Sequence, residues 1–278
     1  MSSSTRTADV LDRLTAGISQ LTSSTAWQQW LVVQSRFHQY SFGNTLLILS
    51  QTEGRATRVA GFHAWRKLGR NVRKGERAIW IFAPMTRRVQ SDDTDEKTVV
   101  LSGFKVVPVF DIAQTDGEPL PEIATRLQGD DPSGSYSRLR QLAHSLGYGV
   151  EEDYLPDEVN GDCNFTKRTI RVEVRNDERQ QVKTLAHELG HALLHEGFGG
   201  GRDLAELEAE SVAYIVCAKL GINSDDYTFG YVAAWSGGGG EAISAIKSAG
   251  GRIQQAADTI LARLEAGEEA SSVEAVAA

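Results

Sequence analysis

The sequence is poor in cysteine and proline and has no long apolar run. Its two cysteines, Cys163 and Cys217, form no C-x-x-C motif, which excludes a disulfide framework and a cysteine-ligated zinc site. Six prolines without a proline-rich stretch exclude polyproline and collagen-like classes. No run of about 18 apolar residues is present to span a bilayer, and the N-terminus lacks the apolar core of a secretion signal. We therefore expect a soluble cytoplasmic protein with no membrane partner.

Length and composition are those of an ordinary globular protein. The chain has 278 residues, of which 41% are apolar and 24% are charged. These fractions exclude disorder over most of the chain. At roughly 100–200 residues per domain, the length leaves room for two small domains or one large one.

Positive charge is concentrated in one short block of an acidic chain. The formal net charge is −8, yet residues 55–88 contain ten Lys or Arg and a single acid, Glu76. Residues 89–278 contain sixteen basic and thirty-three acidic side chains. A basic block of this kind attracts polyanions even when the whole molecule is acidic. A solvated basic face that pairs with acidic stretches explains it equally well, so composition alone leaves both interpretations open.

Hydrophobic spacing predicts an α+β fold that begins and ends with helices. Apolar residues at helical spacing predict helices over the first fifty residues. Alternating apolar residues then predict two strands of a small antiparallel sheet, 78–83 and 104–110, joined by a flexible loop at 90–97. Further along, the pattern predicts a strand at 169–174 and helices at 136–146, 179–196, 204–220 and 241–266.

A run of turn-forming residues at 129–134 predicts a domain boundary. We expect an N-terminal domain over residues 1–128, with helices and the small antiparallel sheet. A C-terminal domain is expected over residues 134–266. The last segment, 267–278, is rich in Ala, Glu and Ser and is expected to form a flexible tail.

The pentapeptide His187-Glu-Leu-Gly-His191 matches the pattern H-E-x-x-H. Helix positions four apart differ by about 40° and 6 Å, so both imidazoles project from one face and can share a metal ion. Glu188 is turned by about 100° from His187 and can reach a water on the metal without being a ligand. The pattern predicts a hydrolytic site for Zn²⁺, or another divalent ion such as Mn²⁺, with Glu188 as the general base.

A third metal ligand is expected on the following helix. His195 lies eight residues from His187, about 12 Å along the axis, so an unbroken helix cannot bring both to one ion. Glu206 and Glu210 share one face of the next predicted helix, which follows a glycine-rich turn. We assign Glu206 as the third ligand. Glu210 is expected to accept a hydrogen bond from a ligand histidine, His187, and so to fix its tautomer.

Other groups around the motif have less specific predicted roles. Glu208 is rotated by about 200° from Glu206 and is expected to be a solvated side chain. A strand near 169–174 is expected to lie at a sheet edge and to align a peptide substrate by strand addition. The candidates for stabilising a tetrahedral oxyanion are Tyr214, Tyr227 and His195.

Several segments resemble known families. The region His187–Glu210 resembles the gluzincin metallopeptidases, and His187–His195 is most similar to the ImmA/IrrE peptidases. The N-terminal half resembles ArdC-type antirestriction proteins in the segments Ser41–Leu47, Gly61–Trp65, Gly69–Gly75 and Val109–Thr115. The resemblance extends from about residue 20 to 220. It implies a single-stranded DNA-binding domain followed by a zincin-like metallopeptidase domain.

Basic and aromatic side chains of the N-terminal half are compatible with the implied DNA binding. Non-specific single-strand binding combines cations along the backbone with aromatic faces on which bases stack. The turn from Arg70 to Lys74 is the leading candidate. The full set of candidate DNA-binding residues is Tyr40, Trp65, Arg66, Lys67, Arg70, Arg73, Lys74 and Arg77.

Together these features predict a zinc-dependent metallopeptidase-like protein whose partners are single-stranded DNA and a protein or peptide substrate. By resemblance, its role would be to protect incoming plasmid or phage DNA from restriction, or to cleave a regulatory protein. Two alternatives stay open. One is a non-enzymatic antirestriction DNA-binding protein with a structural metal, and the other is a DNA-independent ImmA/IrrE-like peptidase that cleaves a regulator.

Overall fold

The chain contains both helices and strands in the computed structural model, which describes residues 3–91, 94–119, 132–222, 229, 232 and 240–277. This mixture confirms the predicted α+β class. In chain order the helices and strands are α1 (Ser3–Gln20), α2 (Ser24–Arg36), α3 (Phe42–Thr52), β1 (Val59–Ala60), α4 (Phe62–Lys67), β2 (Arg70–Val72), β3 (Ile79–Ser91), β4 (Thr94–Asp111), β5 (Thr115–Gly117), α5 (Pro132–Ser145), β6 (Gly149–Asp153), β7 (Gly161–Asn164), β8 (Thr169–Glu173), α6 (Glu178–Leu194), α7 (Arg202–Lys219) and α8 (Gly240–Ala277).

The chain divides into two units that do not follow sequence order. Helix α2 belongs with the C-terminal elements, although it lies near the N-terminus in sequence. Of the turn-forming run 129–134, only residues 132–134 are described, and they begin α5. The first unit comprises Met1–Ser19 and Gly43–Pro121, and the second comprises Gln20–Phe42 and Glu122–Ala278.

An antiparallel hairpin of β3 and β4 is the largest strand pair of the first unit. Strand β1 extends this sheet on the other side of β4, in the order β1-β4-β3. Both hairpin strands are longer than predicted, because β3 runs to Ser91 and β4 starts at Thr94. The loop predicted at 90–97 is therefore wrong over most of its length; the β-branched run at 98–100 favours an extended chain. Residues 92 and 93 lie outside the described part of the chain.

Two amide side chains of α3 cover the outer edge of β3. Asn44 donates from Nδ2 to the Phe82 carbonyl at 2.8 Å and accepts from the Phe82 N–H at 2.9 Å. Gln51 makes the same pair of bonds with Trp80, at 3.0 and 2.9 Å. Positions 44 and 51 lie two turns apart on one face of the helix. Their side chains therefore bond to the backbone N–H and C=O groups of alternate residues, on the side of the edge strand that no other strand pairs with among the described residues.

The sheet of the second unit has the order β6-β8-β7. Strand β6 runs parallel to β8, and β7 runs antiparallel to it. The strand predicted at 169–174 is present as β8, but it is central, so the expectation that it lies at an edge is wrong. Its Ile170 and Val172 are fully buried. Strand β7 forms an edge instead; the sequence did not predict it because Gly161-Asp-Cys-Asn164 has little β propensity.

Helices α6, α7 and α8 contribute much of the apolar core of the second unit. Every residue of α7 from Leu207 to Cys217 except Glu210 is buried. Helix α2 packs on α7, where Trp27 Nε1 donates to Ser211 Oγ at 3.0 Å. Helix α8 continues to Ala277, over most of the segment in which the sequence predicts a flexible tail. Among the described residues, no helix combines the length and the apolar character needed to cross a bilayer.

Candidate metal centre

Helix α6 presents two histidines side by side. The Asp177 side chain caps its N-terminus by accepting the Gln180 N–H at 2.8 Å. Buried apolar residues such as Leu185 and Leu189 form the inner face of the helix. His187 and His191 project from a different face of the helix, one turn apart. Their ring centroids are 4.8 Å apart, and their Nε2 atoms are 3.0 Å apart.

Helix α7 brings Glu206 to both imidazoles. It begins after Gly201, whose φ of +86° lies in the left-handed region that favours glycine. The Glu206 Oε2 atom is 3.4 Å from His187 Nε2 and 3.7 Å from His191 Nε2. One ligand atom from each of the three residues lies within 4.8 Å of the others. The structure thus brings together the three residues that the sequence spacing assigns as metal ligands.

Glu210 lies one turn after Glu206 and orients His187. Its Oε2 atom is 3.0 Å from His187 Nδ1, which is the contact expected from the sequence. Because a carboxylate only accepts hydrogen bonds, His187 Nδ1 carries a proton, and its Nε2 atom faces Glu206 and His191. Burial lowers the pKa of His187, but its bonds to Glu206 and Glu210 outweigh this effect and raise the pKa to about 9.

The donor set fits a divalent cation. Two imidazole nitrogens and a carboxylate oxygen are ligands that zinc and related divalent ions accept. Two atoms bound at 2.0–2.1 Å in a tetrahedral site lie roughly 3.3 Å apart, close to the 3.0, 3.4 and 3.7 Å separations of these three atoms. All three atoms are hydrogen-bond acceptors whose lone pairs repel one another at these distances, so a cation or a proton must lie among them. In the metal-free chain a proton on His187 takes this place, which agrees with its raised pKa.

Glu188 lies beside the histidines against strand β7. Burial raises the pKa of its carboxyl to about 7, although the nearby His187 acts in the opposite direction. A Cβ atom added at Gly161 of β7 would lie 2.5 Å from Thr184 Cγ2 and 3.1 Å from Glu188 Oε1. Glycine at position 161 therefore leaves the space that the Glu188 carboxylate uses.

Three of the candidate DNA-binding residues have intramolecular partners in the first unit. Trp65 is fully buried and donates from Nε1 to the Phe110 carbonyl, so we do not retain it as a stacking residue. Arg70 donates to the Thr115 side chain and to its carbonyl, at 2.8 and 3.0 Å. Arg73 pairs with Glu76 at 2.7 Å. These two arginines tie the turn to strand β5 and the residues that precede it.

The remaining candidates differ in exposure. Tyr40 belongs to the second unit and is half-buried, with its ring edge-on to Phe37 at 5.9 Å. Its role in DNA binding stays a prediction. Four basic candidates are exposed at the surface of the first unit, and among the residues that the structure describes they lack a partner of the kind found for Arg70. They are Arg66, Lys67, Lys74 and Arg77.

Comparison with known protein families matches both halves of the chain. A model for the N-terminal domain of the anti-restriction factor ArdC matches residues 3–110. A model for the IrrE N-terminal-like domain matches residues 147–217. Each half of the chain is thus similar to a domain of a known family, and the resemblance inferred from the sequence motifs is confirmed in both halves. The segment 147–217 contains His187, His191, Glu206 and Glu188.

Two solved structures of the antirestriction protein ArdC from plasmid R388 have a similar fold. The metal-free structure matches with a TM-score of 0.52 and 22% identity, covering 81% of this chain and 85% of that protein. The Mn(II)-bound structure matches with a TM-score of 0.57 and 22% identity, covering 92% and 97%. An uncharacterized protein of Bacillus anthracis is 25% identical over 279 residues, 84% of this chain. The chain spans about half the length, 47%, of that relative.

The segment 147–217 also contains residues that the sequence analysis placed wrongly. Glu208 is completely buried, not solvated, and pairs with Arg252 of α8. His195 is buried and contacts His191 and Glu208 through its two ring nitrogens, so it is not placed to stabilise an oxyanion. The signal for Glu208 was the continuous apolar run that follows it on α7, Val212–Ala218, because a charge on a helix that is buried on all sides needs a buried partner. Tyr227 lies outside the described residues.

Proposed function

We propose that this chain is a divalent-metal-dependent peptidase joined to a single-stranded DNA-binding domain, and that it acts in antirestriction. The observation that carries the proposal is the convergence of His187, His191 and Glu206, with Glu188 beside them. A structural metal site needs no general base, so the position of Glu188 favours hydrolysis over a purely structural ion. The Mn(II)-bound structure of R388 ArdC supports a divalent ion here, and zinc is an equally suitable occupant of this donor set.

The chemistry would divide between the ion and Glu188. When bound, a divalent cation supplies Lewis acidity toward a substrate carbonyl and toward water. Glu188 takes a proton from the water whose oxygen attacks the carbonyl carbon. It then returns that proton to the nitrogen of the leaving amine as the C–N bond breaks. In the metal-free chain, burial raises the pKa of this carboxyl to about 7. Its affinity for a proton is therefore greater than that of an exposed carboxylate, which suits a general base.

The substrate would be a peptide in extended conformation. Strand β7 lies at the edge of its sheet and next to Glu188. An extended peptide can add to such an edge by main-chain hydrogen bonds. We therefore place the substrate backbone along Gly161–Asn164, in the role that the sequence analysis gave to the region 169–174.

The peptidase part of the proposal is tested by comparing wild type with Glu188→Gln, both loaded with Zn²⁺ or Mn²⁺, on panels of folded and denatured proteins. We expect the wild type to cleave at least one denatured substrate and the variant to be slower by about 10²–10⁴-fold. If both proteins are equally inert, the peptidase proposal fails. The alternative of a DNA-binding protein with a structural metal is then preferred.

The DNA-binding part is supported by the match to the ArdC N-terminal domain and by exposed cations on and after α4. Arg66 and Lys67 end this helix, and Lys74 and Arg77 follow within ten residues. Phe62 at the start of α4 is 42% exposed and offers an aromatic face for stacking. Fluorescence anisotropy with labelled single strands at several salt concentrations tests it. Absence of binding at low salt would eliminate the assignment and favour a DNA-independent peptidase.

A further inference from the structure

A chain of buried polar side chains extends from His191 to helix α8. His191 Nδ1 is 2.8 Å from His195 Nδ1, and His195 Nε2 is 3.2 Å from Glu208 Oε2. Arg252 donates from Nε to Glu208 Oε1 at 3.1 Å. The side chains of His195 and Glu208 are 4% and 0% exposed. The order of contacts is therefore His191, His195, Glu208, Arg252, and the two middle members are closed to water.

The hydrogen positions follow from the end of this chain. The guanidinium of Arg252 only donates, and a carboxylate only accepts, so Glu208 also accepts from His195. His195 then carries its proton on Nε2 and has a lone pair on Nδ1. Since that lone pair faces His191 Nδ1, His191 must donate there. The proton of His191 is thus on Nδ1, which leaves the Nε2 lone pair facing Glu206 and His187.

We propose that His195, Glu208 and Arg252 are positioning residues that hold His191 in the tautomer able to bind a metal ion. Within the described part of the chain, His191 Nδ1 contacts another histidine and not a carboxylate, whereas His187 contacts Glu210 directly. In water a neutral histidine prefers its proton on Nε2, the wrong atom for this site. His195, Glu208 and Arg252 form a hydrogen-bond relay. Because Glu208 accepts from His195 Nε2, His195 has an acceptor at Nδ1, and His191 donates to it. The inference rests on the proposed function insofar as it assigns Nε2 of His191 to a metal ion.

The packing around the relay keeps it in one arrangement. The Phe198 ring lies 5.0 Å from the His195 ring, and the Arg252 guanidinium lies 5.5 Å from the Phe198 ring. His195 is the C-cap of α6 and donates its backbone N–H to the His191 carbonyl at 2.9 Å. The two histidines are therefore fixed relative to each other by backbone as well as side-chain bonds.

A second buried carboxylate provides a matched control. Glu173 of β8 is 4% exposed and is bound by Arg175 through Nε and Nη2, each at 2.8 Å. It has the same kind of arginine partner as Glu208, and the hydrogen bonds of its carboxylate among the described residues are to Arg175 and Leu155 and not to a histidine. Replacing either carboxylate by an amide perturbs a buried ion pair, and only the change at position 208 alters the relay.

The variant Glu208→Gln should invert the relay. Its amide oxygen stays on the donor-only Arg252, so its NH₂ group faces His195 Nε2. His195 must then accept on Nε2 and donate from Nδ1, which moves the proton of His191 to Nε2. We expect this variant to bind Mn²⁺ about 10–100-fold more weakly than wild type, and we expect Glu173→Gln to bind like wild type.

The test combines two measurements. Long-range ¹H–¹⁵N NMR on the metal-free proteins reports each histidine tautomer, and electron paramagnetic resonance reports free Mn²⁺ during a titration. We expect Nδ1-protonated His191 and Nε2-protonated His195 in wild type and in Glu173→Gln, and the reverse in Glu208→Gln.

Nε2-protonated His191 in wild type would overturn the inference, and the wild-type spectrum tests this even if a variant does not fold. A folded Glu208→Gln with unchanged tautomers and Mn²⁺ affinity would also overturn it. The predicted tautomers in a wild type that binds no divalent ion would support the relay and contradict the proposed function.

Discussion

The backbone of Gly190 on α6 lies directly against Ala209 on α7. A Cβ atom added at position 190 would be 3.0 Å from Ala209 Cα and 3.4 Å from its Cβ. This close approach sets the separation of the two helices, and it lies between the histidines on α6 and the glutamates on α7. The glycine of H-E-L-G-H therefore positions Glu206 relative to His187 and His191.

Gly190→Val should separate α6 and α7 and weaken metal binding. Overpacking a close helix contact costs about 1–3 kcal/mol, and the displaced Glu206 would no longer reach both imidazoles. Gly251→Ala is the control, because a Cβ at this position of α8 meets nothing within 4 Å and removal of a helical glycine is favourable by up to about 1 kcal/mol. Isothermal titration with Zn²⁺ and thermal unfolding measure both effects. Equal metal affinity in Gly190→Val and wild type would contradict this account of the glycine.

Gly161→Ala should reduce hydrolysis more than metal binding. The three atoms nearest to the added methyl would be Thr184 Cγ2, the Arg171 carbonyl oxygen and Glu188 Oε1, and none of these belongs to a proposed metal ligand. Gly149→Ala, on another strand of the same sheet, meets only the Arg168 carbonyl at 4.0 Å and serves as control. Turnover of a denatured substrate is measured at saturating metal. A Gly161→Ala protein with wild-type turnover would show that this space is not needed by Glu188.

Local periodicity was sufficient to predict which side chains converge at the candidate metal centre. His187 and His191 are four residues apart in one helix, as are Glu206 and Glu210 in the next, so helical geometry alone places each pair on one face. The structure has both pairs where the spacing predicts them.

Contacts between distant segments could not be predicted in the same way. Glu208 pairs with Arg252, 44 residues further along the chain, and nothing near either residue indicates the other. The sequence analysis includes Trp65 among the DNA-binding candidates, but its indole N–H bonds to the carbonyl of Phe110, in a strand 45 residues away. Local sequence patterns describe one helix or strand at a time, and these partners are determined by tertiary packing.

The stability of the metal-free chain should fall as pH rises from about 5 to 9. The pKa of His187 is raised to about 9 in the fold, so its stabilising contribution is complete below its ordinary pKa of 6.5 and is lost as pH passes 9. The pKa of Glu188 is raised to about 7, so its ionisation between about 4.5 and 7 also favours unfolding. Urea unfolding at each pH measures the effect. In a plot of the free energy of unfolding against pH, Glu188→Gln should flatten the part below about pH 7, and His187→Ala should flatten the part above it. Curves identical to that of the wild type would contradict the assignment of these two groups.

Metal binding should release protons at neutral pH. Since His187 is protonated in the metal-free chain below about pH 9, an ion that binds its Nε2 atom must displace that proton. Calorimetric titrations in buffers of different ionisation enthalpy should give about one proton released per ion at pH 7. A binding enthalpy that is independent of the buffer would contradict the ligand role of His187.

Substitution of exposed basic residues should weaken DNA binding, whereas substitution of a structural basic residue should lower stability. Lys67→Gln and Lys74→Gln should each weaken single-strand binding and reduce the slope of log K against log salt by about 0.7, with no loss of stability. Arg70→Gln should instead lower the melting temperature, because it removes bonds to Thr115 and the Gly117 carbonyl. Anisotropy titrations and thermal unfolding distinguish the two classes. Full affinity and an unchanged salt slope in a Lys67→Gln, Lys74→Gln double variant would exclude this surface.

The most direct test of the metal centre is elemental analysis of purified protein after exposure to Zn²⁺ and Mn²⁺, followed by dialysis. The wild type should retain one divalent ion per chain. His187→Ala should retain none at the same concentration, while keeping its folded circular dichroism spectrum. A wild type without stoichiometric metal, or a His187→Ala protein that retains its ion, would contradict the assignment of His187, His191 and Glu206 as the metal ligands.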